Sequence, residues 1–153
     1  MKRTNEPKFY MADDIRVEDS GKQILVGLYP DNVIVLKSSE ALAPTREKPL
    51  LLSQLSVMVS FPNPTRGDHA GEAFILGPDN NEIGKLARFT VTTLEDGGTG
   101  NIIFKLAQMR VTRFGIYTLR LTFDEKSYEF PFELRKFRET AIARKAVARS
   151  DKK

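Results

Sequence analysis

Two adjacent acidic residues near the start of the chain, Asp13 and Asp14, have the types and spacing that could carry out chemistry. Paired carboxylates transfer protons or hold a divalent cation in many enzymes, and Glu18 would supply a third carboxylate. Such sites are usually completed by histidine, cysteine or further acids, yet the 153 residues contain one histidine and no cysteine. The composition therefore favours a structural or solvated role for these acids, as the polar flank of a β-hairpin, over a carboxylate-based enzyme.

Two other chemical signals are weaker. The single histidine, His69, lies in the stretch NPTRGDHAG, where no motif supplies a nucleophile and an orienting acid, and we expect it in a solvated loop. The glycine-rich stretch LEDGGTGN is not followed by the Gly-Lys-Ser/Thr of a phosphate-binding loop, so it predicts a hairpin tip. The sequence predicts no catalytic residue, no metal site and no cofactor.

The elements that would position these residues are strands. Apolar residues alternate with polar ones from Phe9 to Leu134, in about eight or nine runs separated by Gly, Pro, Asn and Asp, which predicts an all-β sandwich or barrel. A change of phase before Met109 predicts a β-bulge near Ala107–Gln108. The faces predicted to be buried include Ile24, Val26 and Leu28; Val33 and Val35; Leu55, Val57, Val59 and Phe61; and Tyr117, Leu119, Leu121 and Phe123.

The stretch EDSGK between the first two runs predicts a hairpin loop. Asp19 and Ser20 favour a turn, Gly21 can adopt the left-handed conformation, and Lys22 leads into the second strand. Gly27, in the middle of that strand, leaves room for a large neighbour such as an aromatic ring to cross it.

The last 19 residues differ in charge from the rest of the chain. Residues 135–153 hold eight Lys or Arg and two acids, a net charge of +6, whereas the other 134 residues hold 16 bases and 18 acids, a net charge of −2. Their composition predicts a short basic helix or tail after a sandwich domain of residues 1–134. These cations could contact nucleic-acid phosphates, and a solvated chain end is the other interpretation. The candidate polyanion-binding residues are Arg135, Lys136, Arg138, Arg144, Lys145 and Arg149.

The stretch GIYTLRL, which opens the penultimate strand, is similar to the tyrosine corner of immunoglobulin-like sandwiches. The similarity implies that the hydroxyl of Tyr117 caps a backbone group at the edge of a sheet. Leu119 stands where disulfide-bonded immunoglobulin domains have a cysteine, so the resemblance is to immunoglobulin-like folds in general.

The N-terminal pattern DDIR…GK…GLY resembles a small bacterial family, also carried on mobile elements, that is catalogued as a domain of unknown function. The closing stretches GIYTLRL and YEFPFEL match that family as well. The resemblance implies a compact immunoglobulin-like β-sandwich and no activity. The candidate motif residues, with a structural or interaction role, are Asp13, Asp14, Arg16, Gly21, Lys22, Gly27, Tyr29 and Tyr117.

We therefore expect an all-β, antiparallel, immunoglobulin-like β-sandwich with a short basic C-terminal helix or tail. The leading functional interpretation is a non-catalytic binding or structural module that engages another protein through its loops or a sheet edge. A nucleic-acid-binding accessory protein that uses the tail is the alternative, and a carboxylate enzyme at Asp13 and Asp14 is a weaker one. Because cysteine is absent and no stretch resembles a secretory signal or a membrane span, we expect a cytoplasmic location and no membrane association.

Overall fold

The structure of the protein is a computed structural model that describes residues 5–36 and 43–137, without the side chains of residues 85–87. These stretches contain nine strands and a single 3₁₀ turn, Pro30–Asn32. The strands are β1 (Lys8–Val17), β2 (Gln23–Leu28), β3 (Val33–Leu36), β4 (Leu50–Pro62), β5 (Gly67–Leu76), β6 (Glu82–Thr93), β7 (Thr99–Val111), β8 (Gly115–Phe123) and β9 (Lys126–Lys136).

The strands form two sheets that pack face to face. Sheet A has the order β2-β1-β4-β7 and is antiparallel throughout, and sheet B has the order β3-β9-β8-β5-β6. In sheet B only the short edge strand β3 runs parallel to its neighbour, β9. The prediction of an all-β sandwich is therefore confirmed.

Aromatic rings join the two sheets across the core. The ring centroids of Phe61 and Phe123 are 4.5 Å apart, and those of Phe9 and Phe130 are 5.1 Å apart, both pairs stacked. Such pairs add specific geometry to the burial of apolar area, which is the main stabilising contribution. Two faces predicted from the alternation are buried and confirmed: Leu55, Val57, Val59 and Phe61 on β4, and Tyr117, Leu119, Leu121 and Phe123 on β8.

The tyrosine corner is present at the start of β8. Tyr117 is buried, and its hydroxyl donates a hydrogen bond to the carbonyl oxygen of Arg113, four residues upstream, at 2.6 Å. Its ring stacks on Phe132 of the neighbouring strand β9, with the centroids 5.7 Å apart. The predicted role of Tyr117 as a cap on a backbone group is confirmed.

Two local predictions about the sheets were wrong. The stretch LEDGGTGN joins β6 of sheet B to β7 of sheet A, so it is a link between sheets and not a hairpin tip. Near Gln108, which has a φ of 53°, the pairs Leu52–Met109 and Gln54–Ala107 keep the same register. No extra residue is inserted in β7, so there is no one-sided bulge. Instead β4 and β7 change phase together at this point.

The last strand continues beyond the predicted domain end at residue 134. Arg135 and Lys136 pair with Val35 and Leu36 of β3, and the amide of Phe137 donates to the carbonyl oxygen of Leu36 at 3.0 Å. Arg135 and Lys136 thus belong to the sheet. The rest of the predicted basic helix, residues 138–153, lies outside the described residues. No helix in the described part of the chain has the length and apolar character to cross a membrane.

The tyrosine corner generates a stability prediction. Tyr117→Phe should lower the free energy of unfolding by roughly 0.5–1.5 kcal/mol, because the hydrogen bond to the Arg113 carbonyl is lost, and Tyr117→Ala by about 3 kcal/mol or more. Urea denaturation measures both changes. Tyr128→Phe is the matched control, since Tyr128 is partly buried against the same core and its hydroxyl has no hydrogen bond among the described residues. Equal effects of the two Tyr→Phe changes would contradict the corner.

Candidate functional site on the first hairpin

The loop between β1 and β2 has the geometry that its residues predict. The amide of Glu18 donates to the carbonyl oxygen of Lys22 at 2.8 Å, and the amide of Gly21 donates to that of Glu18 at 2.8 Å. Gly21 has a φ of 81°, in the left-handed region that favours glycine. This is a three-residue hairpin loop ending in a left-handed glycine, and the prediction for EDSGK is confirmed.

Gly27 marks a break in the pairing of this hairpin. Its φ is 66°, and the ladder between β1 and β2 skips the pair formed by Gly27 and Asp13. A Cβ atom on residue 27 would collide with the Asp13 side chain. The group that crosses Gly27 is therefore a carboxylate, and the prediction of an aromatic ring was wrong.

The Asp13 carboxylate that crosses Gly27 is hydrogen-bonded to a tyrosine. The hydroxyl of Tyr29 donates a hydrogen bond to Oδ1 of Asp13, and the amide of Tyr29 donates to the carbonyl oxygen of Met11 at 2.8 Å. Burial, followed by the hydrogen bond to Asp13, raises the pKa of Tyr29 to about 12. The hydroxyl therefore remains a donor at neutral pH, and it holds Asp13 in place across the strand.

Beyond this break, the far end of the β1–β2 hairpin packs on residues of β4 and β7 that point away from the main core. The pairing of β1 with β4 ends at Ala12, and Ile15 then joins Ala12 and Met58 in a second apolar cluster, separate from the main core. Leu25 and Ile103 pack against that cluster. Because Ala12 and Ile15 lie on the same side, the alternation along β1 changes phase between them.

The same change leaves an apolar row exposed on β2. Ile24, Val26 and Leu28 are 38%, 46% and 52% exposed, so the prediction that this face is buried was wrong. β2 is the edge strand of sheet A, and neither apolar cluster of the described residues includes Ile24, Val26 or Leu28. Leu28 lies opposite Ala12 and therefore on the same side of β2 as Leu25, whereas Ile24 and Val26 share the other side. We refer to Ile24 and Val26 as the β2 apolar row. Val33 and Val35 were also predicted to be buried, whereas Ile34 is the β3 residue in the core.

Asp14 bonds to two cations, one on its own strand and one on strand β7. Its carboxylate accepts hydrogen bonds from Nε of Arg16 at 2.5 Å and from Nζ of Lys105 on β7 at 3.0 Å. Both hydrogen bonds lower the pKa of Asp14 below its ordinary value, and the bond from Arg16 has the larger effect. The carboxylate is 15% exposed and faces two positive charges, which is the arrangement of an anchoring ion pair.

The third carboxylate of the enzyme hypothesis lies apart from the first two. Glu18 follows the end of β1, four residues beyond Asp14, and at the rise of a strand this is roughly 13 Å away. In residues 5–36 and 43–137 no three His, Cys, Asp or Glu side chains form a group that could hold a metal ion. Asp13 and Asp14 instead bond to side chains of the same chain, and these bonds hold the hairpin in place.

His69 is buried in strand β5, and the prediction of a solvated loop histidine was wrong. Its Nε2 lies 2.7 Å from the carbonyl oxygen of Thr65, and its Nδ1 contacts the carboxylate of Asp124. Both partners are acceptors, so they favour the protonated imidazole and raise the pKa of His69. The Thr65 carbonyl has the larger effect and Asp124 the next. Asp124 and Glu125 form the β8–β9 turn with φ values of 49° and 65°, so His69 fixes a turn built on two left-handed residues.

Only two of the six candidate polyanion-binding residues lie within the described stretches. Arg135 is on β9 with its guanidinium bound to Glu133 at 2.7 Å, and Lys136 is the last residue of that strand. Arg138, Arg144, Lys145 and Arg149 lie outside the described residues. Nucleic-acid binding by this segment stays a prediction.

No protein family and no curated protein matches the chain. Among the solved structures that are similar to it is the Pseudomonas fluorescens alkylpurine DNA glycosylase AlkC bound to DNA containing an abasic site analog. The identity is 16% and the TM-score is 0.36, and the similarity covers 69% of this chain and 28% of that one. The chain thus spans little more than a quarter of that structure.

The environment of His69 predicts the direction of a pH dependence. A folded-state pKa above the ordinary value of about 6.5 means that the stabilisation is complete below pH 6.5 and is lost as the pH rises through the folded pKa. Wild type should therefore lose stability towards alkaline pH relative to His69→Phe. Urea denaturation across this range, with an NMR titration of the single imidazole, measures both quantities. A folded pKa at or below 6.5 would contradict the assignment.

The ion pair at Asp14 generates a second prediction. Asp14→Asn should lower the melting temperature, because Arg16 and Lys105 lose their shared anion, and Asp19→Asn in the exposed loop should not. Mg²⁺, Mn²⁺ and Ca²⁺ should leave the melting temperature of wild type unchanged. A metal at 100 times its dissociation constant would stabilise the fold by about 2.7 kcal/mol, a shift that thermal denaturation detects readily. Such a shift, lost in Asp14→Asn, would reject the anchoring role.

Proposed function

We propose that the chain is a non-catalytic, cytoplasmic binding module on an immunoglobulin-like β-sandwich, and that it binds another protein through the free edge of β2. The β2 apolar row carries this proposal. It is exposed on an edge strand, next to acids that are held by neighbouring groups of the same chain. Exposed apolar groups on a soluble domain commonly mark an interaction surface.

Three features of the topology support the immunoglobulin-like part of the proposal. The antiparallel order β1-β4-β7 resembles strands A, B and E of such domains, and β9-β8-β5 resembles strands G, F and C. Strand β8 occupies the place of strand F, and it carries the tyrosine corner, as strand F does. The two sheets enclose one main apolar core.

The four sheet edges differ in how well they are protected. Natural proteins protect an edge with charged side chains, with proline or by keeping the strand short. Strand β6 carries Glu82 and Arg88, and β7 carries Lys105 and Arg110. Strand β3 is only four residues long. Strand β2 has six residues, QILVGL, with neither a charge nor a proline, and it is the least protected of the four.

The mode of binding that suits such an edge is β-strand addition. An extended segment of the partner pairs with the free backbone groups of β2, and apolar side chains of that segment contact the β2 apolar row. The base of the hairpin is fixed by Asp13 and Asp14, so little ordering is needed when the partner binds.

A peptide titration tests this function. We expect a capped peptide of about six alternating Thr and Val residues to perturb the backbone amides of Gln23–Leu28, because strands of this length pair along their backbones. NMR spectra of the dilute, ¹⁵N-labelled protein report the perturbed residues.

The control for this titration uses two isoleucines on different edges. Ile24→Lys should abolish the perturbation, because it puts a charge into the β2 apolar row, whereas Ile83→Lys on the edge strand β6 should not. The two side chains are similarly exposed, at 38% and 42%. Perturbations centred on another edge, or none with any strand-forming peptide, would reject the proposed function.

A further inference from the structure

We infer that His69 is a pH-dependent switch for the turn between β8 and β9: the protonated imidazole holds Asp124 and Thr65 together, and the neutral imidazole keeps Thr65 and releases Asp124. The ring is buried in β5 and stacks on Phe123, with the two ring centroids 5.3 Å apart. The switch lies in sheet B, so it does not rest on the proposed binding at β2 of sheet A.

The two partners of the ring determine how many protons it needs. A neutral imidazole has one N–H donor and one lone pair, whereas the protonated ring has two donors. The Thr65 carbonyl and the Asp124 carboxylate are both acceptors, one at each ring nitrogen. Only the protonated ring can therefore donate to both, and the neutral ring turns a lone pair towards one of the two oxygens, which is repulsive.

The contact with Thr65 is the one that the neutral ring retains. The residues on either side of Thr65 are fixed, because the carbonyl of Pro64 and the amide of Arg66 are hydrogen-bonded, at 3.1 Å and 2.6 Å, to the loop of residues 96–97. The side chain of Asp124 is 45% exposed, so its carboxylate can turn to water and regain hydrogen bonds there. The neutral ring thus carries its proton on Nε2.

The groups around the ring determine where the switch operates. The Thr65 carbonyl raises the pKa of His69 most and Asp124 next, while burial opposes them and Asp68 on the same strand adds a smaller favourable effect. Val91, which lies opposite His69 on β6, and the aromatic ring that packs from β8 are uncharged. The switch therefore operates above the ordinary imidazole pKa of about 6.5.

The turn that Asp124 begins is poised to change when this contact is lost. Asp124 and Glu125 have φ values of 49° and 65°, a conformation that is unfavourable for residues with a Cβ atom. Without His69, one hydrogen bond to β5 remains to hold the turn, from the amide of Asp124 to the carbonyl oxygen of Ala70 at 3.1 Å. We therefore expect the turn to leave the left-handed conformation in part of the molecules once the ring is neutral.

An NMR titration of the isotopically labelled full chain, from about pH 5 to about pH 10, tests the inference. The imidazole ¹⁵N resonances should show Nδ1 losing its proton while Nε2 keeps its own. The backbone ¹³C resonances of Asp124 and Glu125, which report φ and ψ, should move with the same midpoint as the imidazole.

Two variants of the turn provide a matched pair, since each removes one negative charge. Asp124→Asn presents either an oxygen or an NH₂ group to Nδ1, so it can bond both forms of the ring, and the ¹³C resonances of the turn should become independent of pH. Glu125→Gln leaves the contact with His69 in place, and the turn should still follow the imidazole.

Three results would overturn the inference: turn resonances that do not follow the imidazole, a neutral ring with its proton on Nδ1, or equal effects of Asp124→Asn and Glu125→Gln on the turn. The first two are read from wild type, so the test stands even if a variant fails to fold.

Discussion

The Asp13 side chain can cross the second strand only where that strand has no side chain, and Gly27 is the residue that allows the crossing. Its left-handed φ interrupts the ladder, and both strands change the faces that they present. Ile15 and Leu25 then pack on the outer face of sheet A, while Ile24 and Val26 point to solvent. The covered cluster and the exposed apolar row both depend on this one crossing.

Much of the fold follows from local rules that the sequence displays. Alternation identified the buried faces of β4 and β8, and the Gly-x-Tyr pattern identified the corner at Tyr117, since these depend on residues close together in the chain. The hairpin loop at Gly21 follows for the same reason. The second-strand face was mispredicted for two reasons. Simple alternation assumes an unbroken strand, whereas β2 changes phase at Gly27, and alternation does not show whether another layer covers a face.

The other mispredictions have similar causes. The turn-forming residues before His69 suggested a loop, yet the strand begins at Gly67, and His69 becomes buried through Thr65 and through Asp124, 55 residues away. A contact at that separation leaves no local signal in the sequence. The role of the acids was anticipated as structural, but their partners Tyr29 and Lys105 come from the pairing of strands, which residue types alone do not specify.

The turn between β8 and β9 has a consequence for the order of folding. Adjacent strands joined by two residues usually form early, but here both turn residues are left-handed without being glycine, which costs about 1 kcal/mol or more for each. What offsets this cost comes from β5, through His69 and through the carbonyl of Ala70, which accepts the amide of Asp124 at 3.1 Å. We therefore expect the most local pair of strands in sheet B to become stable only after β5 has paired with β8, and the chain to fold slowly because this pairing is long-range.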